Sequence, residues 1–190
     1  ADLEAYAAMP LARGVRRLIE RHPDEPGWAV RPPFVAAVKS LASHGLSFDV
    51  CVKHGQMADA IALVRACPDV RFVLNHIGKP GIAAGLREPW WSQIKTLAAQ
   101  PNIVCKISGA VTEADHADWT AEEVKPYIAH AIECFGFDRV MFGGDWPVST
   151  LATTYPAWVA LVDDVVSGVS DDEKRKLFRD NAISVYRLAL

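Results

Sequence analysis

The chain has 190 residues, 51% hydrophobic and 23% charged, and its 20 Lys and Arg against 23 Asp and Glu leave a formal net charge of −3. That length suits one core rather than two. The apolar fraction excludes extended disorder, and the slightly acidic balance gives no nucleic-acid footprint or polybasic membrane anchor. No apolar run approaches the ~18–20 residues of a membrane span. Cys51, Cys67, Cys105 and Cys134 form no C-x-x-C motif, which predicts reduced thiols and a cytoplasmic location. The expected partner is a small molecule or another protein.

In chain order, the opening Ala1-Asp2-Leu3 lacks an initiator Met and a signal pattern, so the chain reads as cut from something longer. Five short, β-branched segments bounded by turn residues are predicted as strands: Gly14–Leu18, Phe48–Lys53, Arg71–His76, Ile103–Ser108 and Arg139–Gly143. Between them, helical periodicity runs through Val35, Val38 and Leu41, then through Ile61, Val64 and Cys67, then through Trp90, Ile94 and Leu97. Thr120-x-x-Glu123 and Ser170-x-x-Glu173 are helix-start signals, because the hydroxyl caps first-turn amides while the Glu reaches back. A further helix is predicted over Tyr155–Ser167, and a final one is predicted from the Ser170 start signal to near Leu188.

Strands alternating with helices predict βαβ units and a mostly parallel sheet. The strand centres from Val15 to Met141 cover 126 residues in four intervals, about 31.5 each. Eight such units make the ~250 residues of a (β/α)8 TIM barrel. The chain is therefore expected to carry about the last five βα units of one barrel domain over residues 1–190, without roughly the first three strands. A five-stranded doubly wound sheet is the rival, but no glycine-rich phosphate loop follows a strand. Strands left unpaired at the edges of such a remnant favour a homo-oligomer.

In parallel α/β folds the chemistry collects at the carboxyl ends of strands. His76 emerges at the end of the third strand, before Gly78, where a neutral imidazole can ligate a metal, serve as a base, or simply bond a nearby carbonyl. Asp145 follows Gly143-Gly144, and can bind a metal, take a proton from water, or cap the next turn. Lys106 interrupts an apolar strand and, with Ser108, faces the same side as Val104; it either holds an anionic or carbonyl group or reaches water from an edge strand. One of Arg16 and Arg17 must face the ligand side, and the same split applies to Lys53 and His54. His22, His44, His116 and His130 read as solvated or structural, and Trp28, Trp90, Trp91, Trp119 and Trp158 as core.

Gly14-Val15-Arg16, Asn75-His76-Ile77-Gly78-Lys79-Pro80, Cys105-Lys106-Ile107-Ser108-Gly109, Gly143-Gly144-Asp145-Trp146-Pro147 and the closing Asn181-Ala182 resemble the amidohydrolase superfamily. Within it, the chain is most similar to the amidohydrolase 2 group of L-fuconolactonase-like sugar-lactone hydrolases. The resemblance implies a (β/α)8 barrel whose first strand ends in a His-x-His pair that this chain lacks. It implies His76 and Asp145 as catalytic groups, and His76, Asp145 and His54 as ligands of a divalent metal such as Zn or Mn where one is bound. It further implies Arg16, Lys106 and Trp146 as substrate-binding residues. The lysine-histidine stretch at 53–54 and Asn75, where Asp is common, depart from the pattern. The implied substrate is a sugar lactone or a related acid, opened by Asp-activated water. A decarboxylase of aromatic or unsaturated acids and a non-catalytic truncated barrel are the alternatives.

Overall fold

The computed structural model describes residues 3–189. A short helix α1 (Leu3–Ala7) leads into β1 (Gly14–Leu18), α2 (Pro32–Lys39), β2 (Ser47–Cys51), α3 (Met57–Ala66) and β3 (Phe72–Leu74). Then come α4 (Trp90–Ala98), β4 (Ile103–Ile107), α5 (Ala121–Phe135), β5 (Val140–Phe142) and α6 (Tyr155–Val165). The five strands pair in sequence order, β1-β2-β3-β4-β5, and every pairing is parallel. A sheet that adds each new strand beside the last is the order of a barrel, whereas a doubly wound sheet reverses direction at a switch point. The rival topology is therefore excluded.

Register sorts the side chains. Arg16 stands beside Asp49, Asp49 beside Val73, Val73 beside Val104 and Lys106 beside Met141, so these residues share the concave face. Phe48, Val50, Phe72, Leu74, Ile103, Cys105 and Val140 point the other way, and join the helices in one buried core. Burying each such side chain contributes ~1.5–3 kcal/mol, and this outer layer is the main source of cohesion. Two tryptophans do more than fill it: the indole N–H of buried Trp90 donates to Ile77 O at 2.8 Å, and that of buried Trp158 to Gly143 O at 2.9 Å. They pin the backbone just beyond the carboxyl ends of β3 and β5.

The strands before His76, Lys106 and Asp145 are shorter than predicted. β3 stops at Leu74, and Asn75 to Gly78 turn sharply, with His76 at φ 53° and Ile77 at φ 46°. The predicted single last helix is three pieces, α7 (Asp171–Arg175), a wider π turn over Lys176–Asp180, and α8 (Asn181–Tyr186). The wide turn ends where the Asn181 amide donates to Phe137 O at 2.6 Å and Val140 O at 2.7 Å, tying the segment to β5. Capping predicts where a helix starts, but a π turn is set by what the helix packs on. Both capping boxes form as expected, with Glu123 N–H donating to Thr120 Oγ1 and Glu173 N–H to Ser170 Oγ.

Candidate active site

The carboxyl ends of β1, β3, β4 and β5 surround a cleft of about 470 Å³. His76, from the turn after β3, and Asp145, from the loop after β5, meet there with Nε2 and Oδ1 3.6 Å apart; their side chains are only 12% and 14% exposed. His76 Nδ1 and Ser108 Oγ are hydrogen-bonded at 2.9 Å, which orients the ring. Burial, together with the charges of Lys79, Lys106 and Arg16, pulls the imidazole down to about 4, so His76 is neutral at neutral pH. Burial also raises the Asp145 carboxyl, against the pull of Lys79 and Arg16, making it a stronger base than a solvated aspartate.

The backbone at both residues is strained. Asp145 at φ 49° and His76 at φ 53° occupy the left-handed region that residues with a Cβ avoid, at roughly 1–3 kcal/mol each. The neighbourhood holds them: Lys79 N–H donates to His76 O at 2.8 Å, Ser149 N–H donates to Asp145 O at 2.8 Å, and Trp90 fixes Ile77. Gly109, at φ 62°, closes over the pair so tightly that a Cβ there would lie 2.8 Å from His76 Nδ1 and 2.9 Å from Asp145 Oδ2. Only glycine fits.

The remaining expected residues divide. Arg16 lines the cleft, while Arg17 turns outward over the Trp28 ring, 5.6 Å from its centroid. Trp146 lines the rim and is 72% exposed. Lys106 is placed differently from the substrate-binding role implied for it. Its Nζ donates to Asp49 Oδ2 at 3.2 Å and Asn75 Oδ1 at 3.0 Å on the concave face, and it is not among the residues that line the cleft. Burial lowers the Lys106 ammonium, but Asp49 and Tyr186 outweigh it and the net shift is upward, so the charge is locked in. Tyr186, from α8, donates its hydroxyl to Asp49 Oδ2 at 3.3 Å.

His54 departs from the metal set implied for it. It opens a 3-10 turn, His54–Gln56, in which its N–H donates to Lys79 O at 3.1 Å and its ring lies against Gly81. Among the described residues no group of three or more His, Cys, Asp and Glu is placed to hold a metal ion. His76 and Asp145 offer two donors, short of the three or four protein ligands of a zinc centre. These residues alone do not fit a metal site.

Sequence reasoning missed a second set of charges. Glu20, two residues past β1, is ion-paired with Lys79, whose Nζ also lies 4.0 Å from Glu113 Oε1; all three line the cleft. Burial raises the Glu113 carboxyl to about 6 despite Lys79 and Lys53. Lys79 lay inside the His-x-Gly-Lys-Pro motif and was legible there, whereas Glu113 sits in a loop with no local signal. His116, read as solvated or structural, also lines the cleft, its Nε2 3.0 Å from Thr112 O.

The chain is similar to several known proteins. An uncharacterised protein of Sinorhizobium fredii is 37% identical over 93% of this chain and 61% of its own length. An L-fucono-1,5-lactonase of Burkholderia ambifaria is 35% identical over 99% of this chain and 66% of its own. The crystal structure of an amidohydrolase from Burkholderia multivorans with bound zinc superposes with a TM-score of 0.88, at 32% identity, over 93% of this chain and 65% of that one. The chain thus spans between three fifths and two thirds of the length of these proteins. Its sequential parallel βα units are those of an amidohydrolase TIM barrel. With the Amidohydrolase family model matching residues 1–188, the His76–Asp145 cleft is that of a member of the amidohydrolase family.

Proposed function

We propose that the protein to which this chain belongs hydrolyses a sugar lactone, with the cleft at the ends of these strands as its reaction site. The observation that carries the reading is the His76–Asp145 pair, a buried carboxylate of raised basicity held 3.6 Å from a neutral imidazole. Asp145 takes a proton from a water molecule, and the water oxygen adds to the lactone carbonyl carbon. His76, fixed by Ser108, holds its Nε2 edge toward the same point. Arg16 forms no salt bridge among the described residues, and is free to polarise the carbonyl oxygen. Trp146, exposed at the rim, offers a flat face to a sugar ring.

Glu20, Glu113 and Asp145 line the cleft with Arg16 and Lys79, and Lys79 is already engaged by Glu20, which leaves Arg16 as the cation available to a substrate carbonyl. The L-fucono-1,5-lactonase among the relatives supports a sugar lactone as that substrate. The test is ring opening of L-fucono-1,5-lactone by the whole polypeptide that contains this chain, with CO2 release from hydroxybenzoates measured alongside. Turnover of the first alone is expected; CO2 release without lactone opening overturns the reading.

A further inference from the structure

Opening a lactone needs two proton movements. As the water oxygen bonds to the carbonyl carbon, its proton goes to Asp145. When the tetrahedral species then breaks its bond to the ring oxygen, that oxygen leaves with the electron pair and needs a proton, because an aliphatic alkoxide is a poor leaving group. The cleft holds a second carboxyl that the first half of the reaction leaves unused.

We propose that Glu113 is the general acid that protonates the departing ring oxygen, with Lys79 and Glu20 as the residues that position it. The proposal rests on the lactonase reading. Glu113 lines the same cleft as Asp145 but comes from a different loop, the one after β4, so the two carboxyls reach the substrate from separate strand ends. Its loop is anchored on both sides: Glu113 N–H donates to Ala110 O at 3.1 Å, and Ala83 N–H donates to Glu113 O at 2.9 Å. The carboxyl itself makes no hydrogen bond among the described residues. Its nearest ionic partner, Lys79 Nζ at 4.0 Å, is taken up by Glu20. A carboxyl held in place but not saturated can carry and release a proton.

Burial keeps this group protonated to a higher pH than a solvated glutamate, with Glu20 and Asp145 adding to the effect and Lys79 and Lys53 opposing it. In the balanced reaction Asp145 gains a proton from water, Glu113 gives one to the ring oxygen, and a hydroxy acid leaves. Proton exchange with solvent through the open cleft resets both carboxyls.

The test compares two lactones on one variant of the whole polypeptide. L-fucono-1,5-lactone releases an alcohol, whereas 3,4-dihydrocoumarin releases a phenolate, which departs without prior protonation. Glu113→Gln is expected to lower kcat/KM for the sugar lactone by about 100-fold and for dihydrocoumarin by less than about threefold. Glu113→Asp, which keeps a carboxyl beside Lys79, is expected to recover at least a tenth of the lost sugar-lactone rate. Equal losses on both substrates, or none on either, overturn the proposal; in the second case Asp145 moves both protons. If Glu113→Gln does not fold, Glu113→Asp carries the same substrate comparison, and a loss shared equally by the two lactones overturns it. A wild-type protein that opens dihydrocoumarin but not the sugar lactone removes the sugar-lactone reading and leaves the acid role to be judged on δ-valerolactone, where the same 100-fold loss is required.

Discussion

Two polar clusters on the concave face of one sheet have been finished differently. Deeper in, Lys106 is spent on Asp49 and Asn75, and Asp49 also takes the Tyr186 hydroxyl, with the Lys106 ammonium 5.4 Å from the Tyr186 ring centre. At the mouth, His76 and Asp145 stand 3.6 Å apart, and Glu113 lies 4.0 Å from the nearest cation. Paired charges hold strands together, since each already has the partner that offsets its burial, and in the deeper cluster Asn75 Nδ2 is left without a hydrogen bond. A cluster with unspent hydrogen-bonding capacity is where a substrate can be bound and a proton moved. The lower cluster also ties the end of α8 to β2, β3 and β4, so the chain's last helix closes over the strands that carry the site.

Removing a working group at the mouth has the largest expected effect. Asp145→Asn lowers kcat/KM for lactone opening by about 10³-fold while leaving the unfolding midpoint nearly unchanged; parallel loss of both would merge the two clusters into one structural unit. Lys106→Met acts mainly on stability. It leaves Asp49, with a side chain 15% exposed, without its cation and held only by the Tyr186 hydroxyl, and a denaturant titration is expected to show about 3 kcal/mol less stability.

Gly109→Ala joins the two regions, because its Cβ lands against both His76 and Asp145. A kcat/KM loss of about 100-fold is expected, from displacement of the pair rather than from unfolding. Glu113 supplies a test in pH. Its carboxyl is raised from 4.5 to about 6, so the folded form binds a proton more readily than the unfolded chain between those values. The resulting contribution, about 2 kcal/mol, is present below pH 4.5 and lost as pH rises through 6. Because His76, held at about 4, makes stability rise with pH over the same window in both proteins, the fall is read as the difference in unfolding free energy between the wild type and Glu113→Gln, which should shrink by this amount from pH 4.5 to above 6. The smallest effect is expected for Tyr186→Phe, which deletes one hydrogen bond to Asp49, worth about 1 kcal/mol, with lactone opening unaffected.

Much of the fold was legible because it rests on local chemistry. β1 runs over Gly14–Leu18 as predicted, Thr120 and Ser170 cap their helices, and an even spacing of apolar strands implied the sequential parallel order of a barrel. At the site, the strand-end rule led to His76 and Asp145, and the structure sets them side by side. His54 and Lys106 follow the same rule, but neither lines the cleft. A 3-10 turn carries His54 to Gly81, and the pleat sends Lys106 to Asp49.

The sequence by itself determined the repeating βα unit, the caps and the strand ends at which reactive side chains gather, because each depends on residues within a few positions of one another. Only the tertiary structure decided which of those side chains are spent and which are left to act. Lys106 finds Asp49 57 residues away, Tyr186 finds the same carboxylate across 137, and Glu113 meets Lys79 between two loops. Whether a charge becomes a brace or a reagent depends on partners that the closing of the sheet brings near, and no local pattern encodes them.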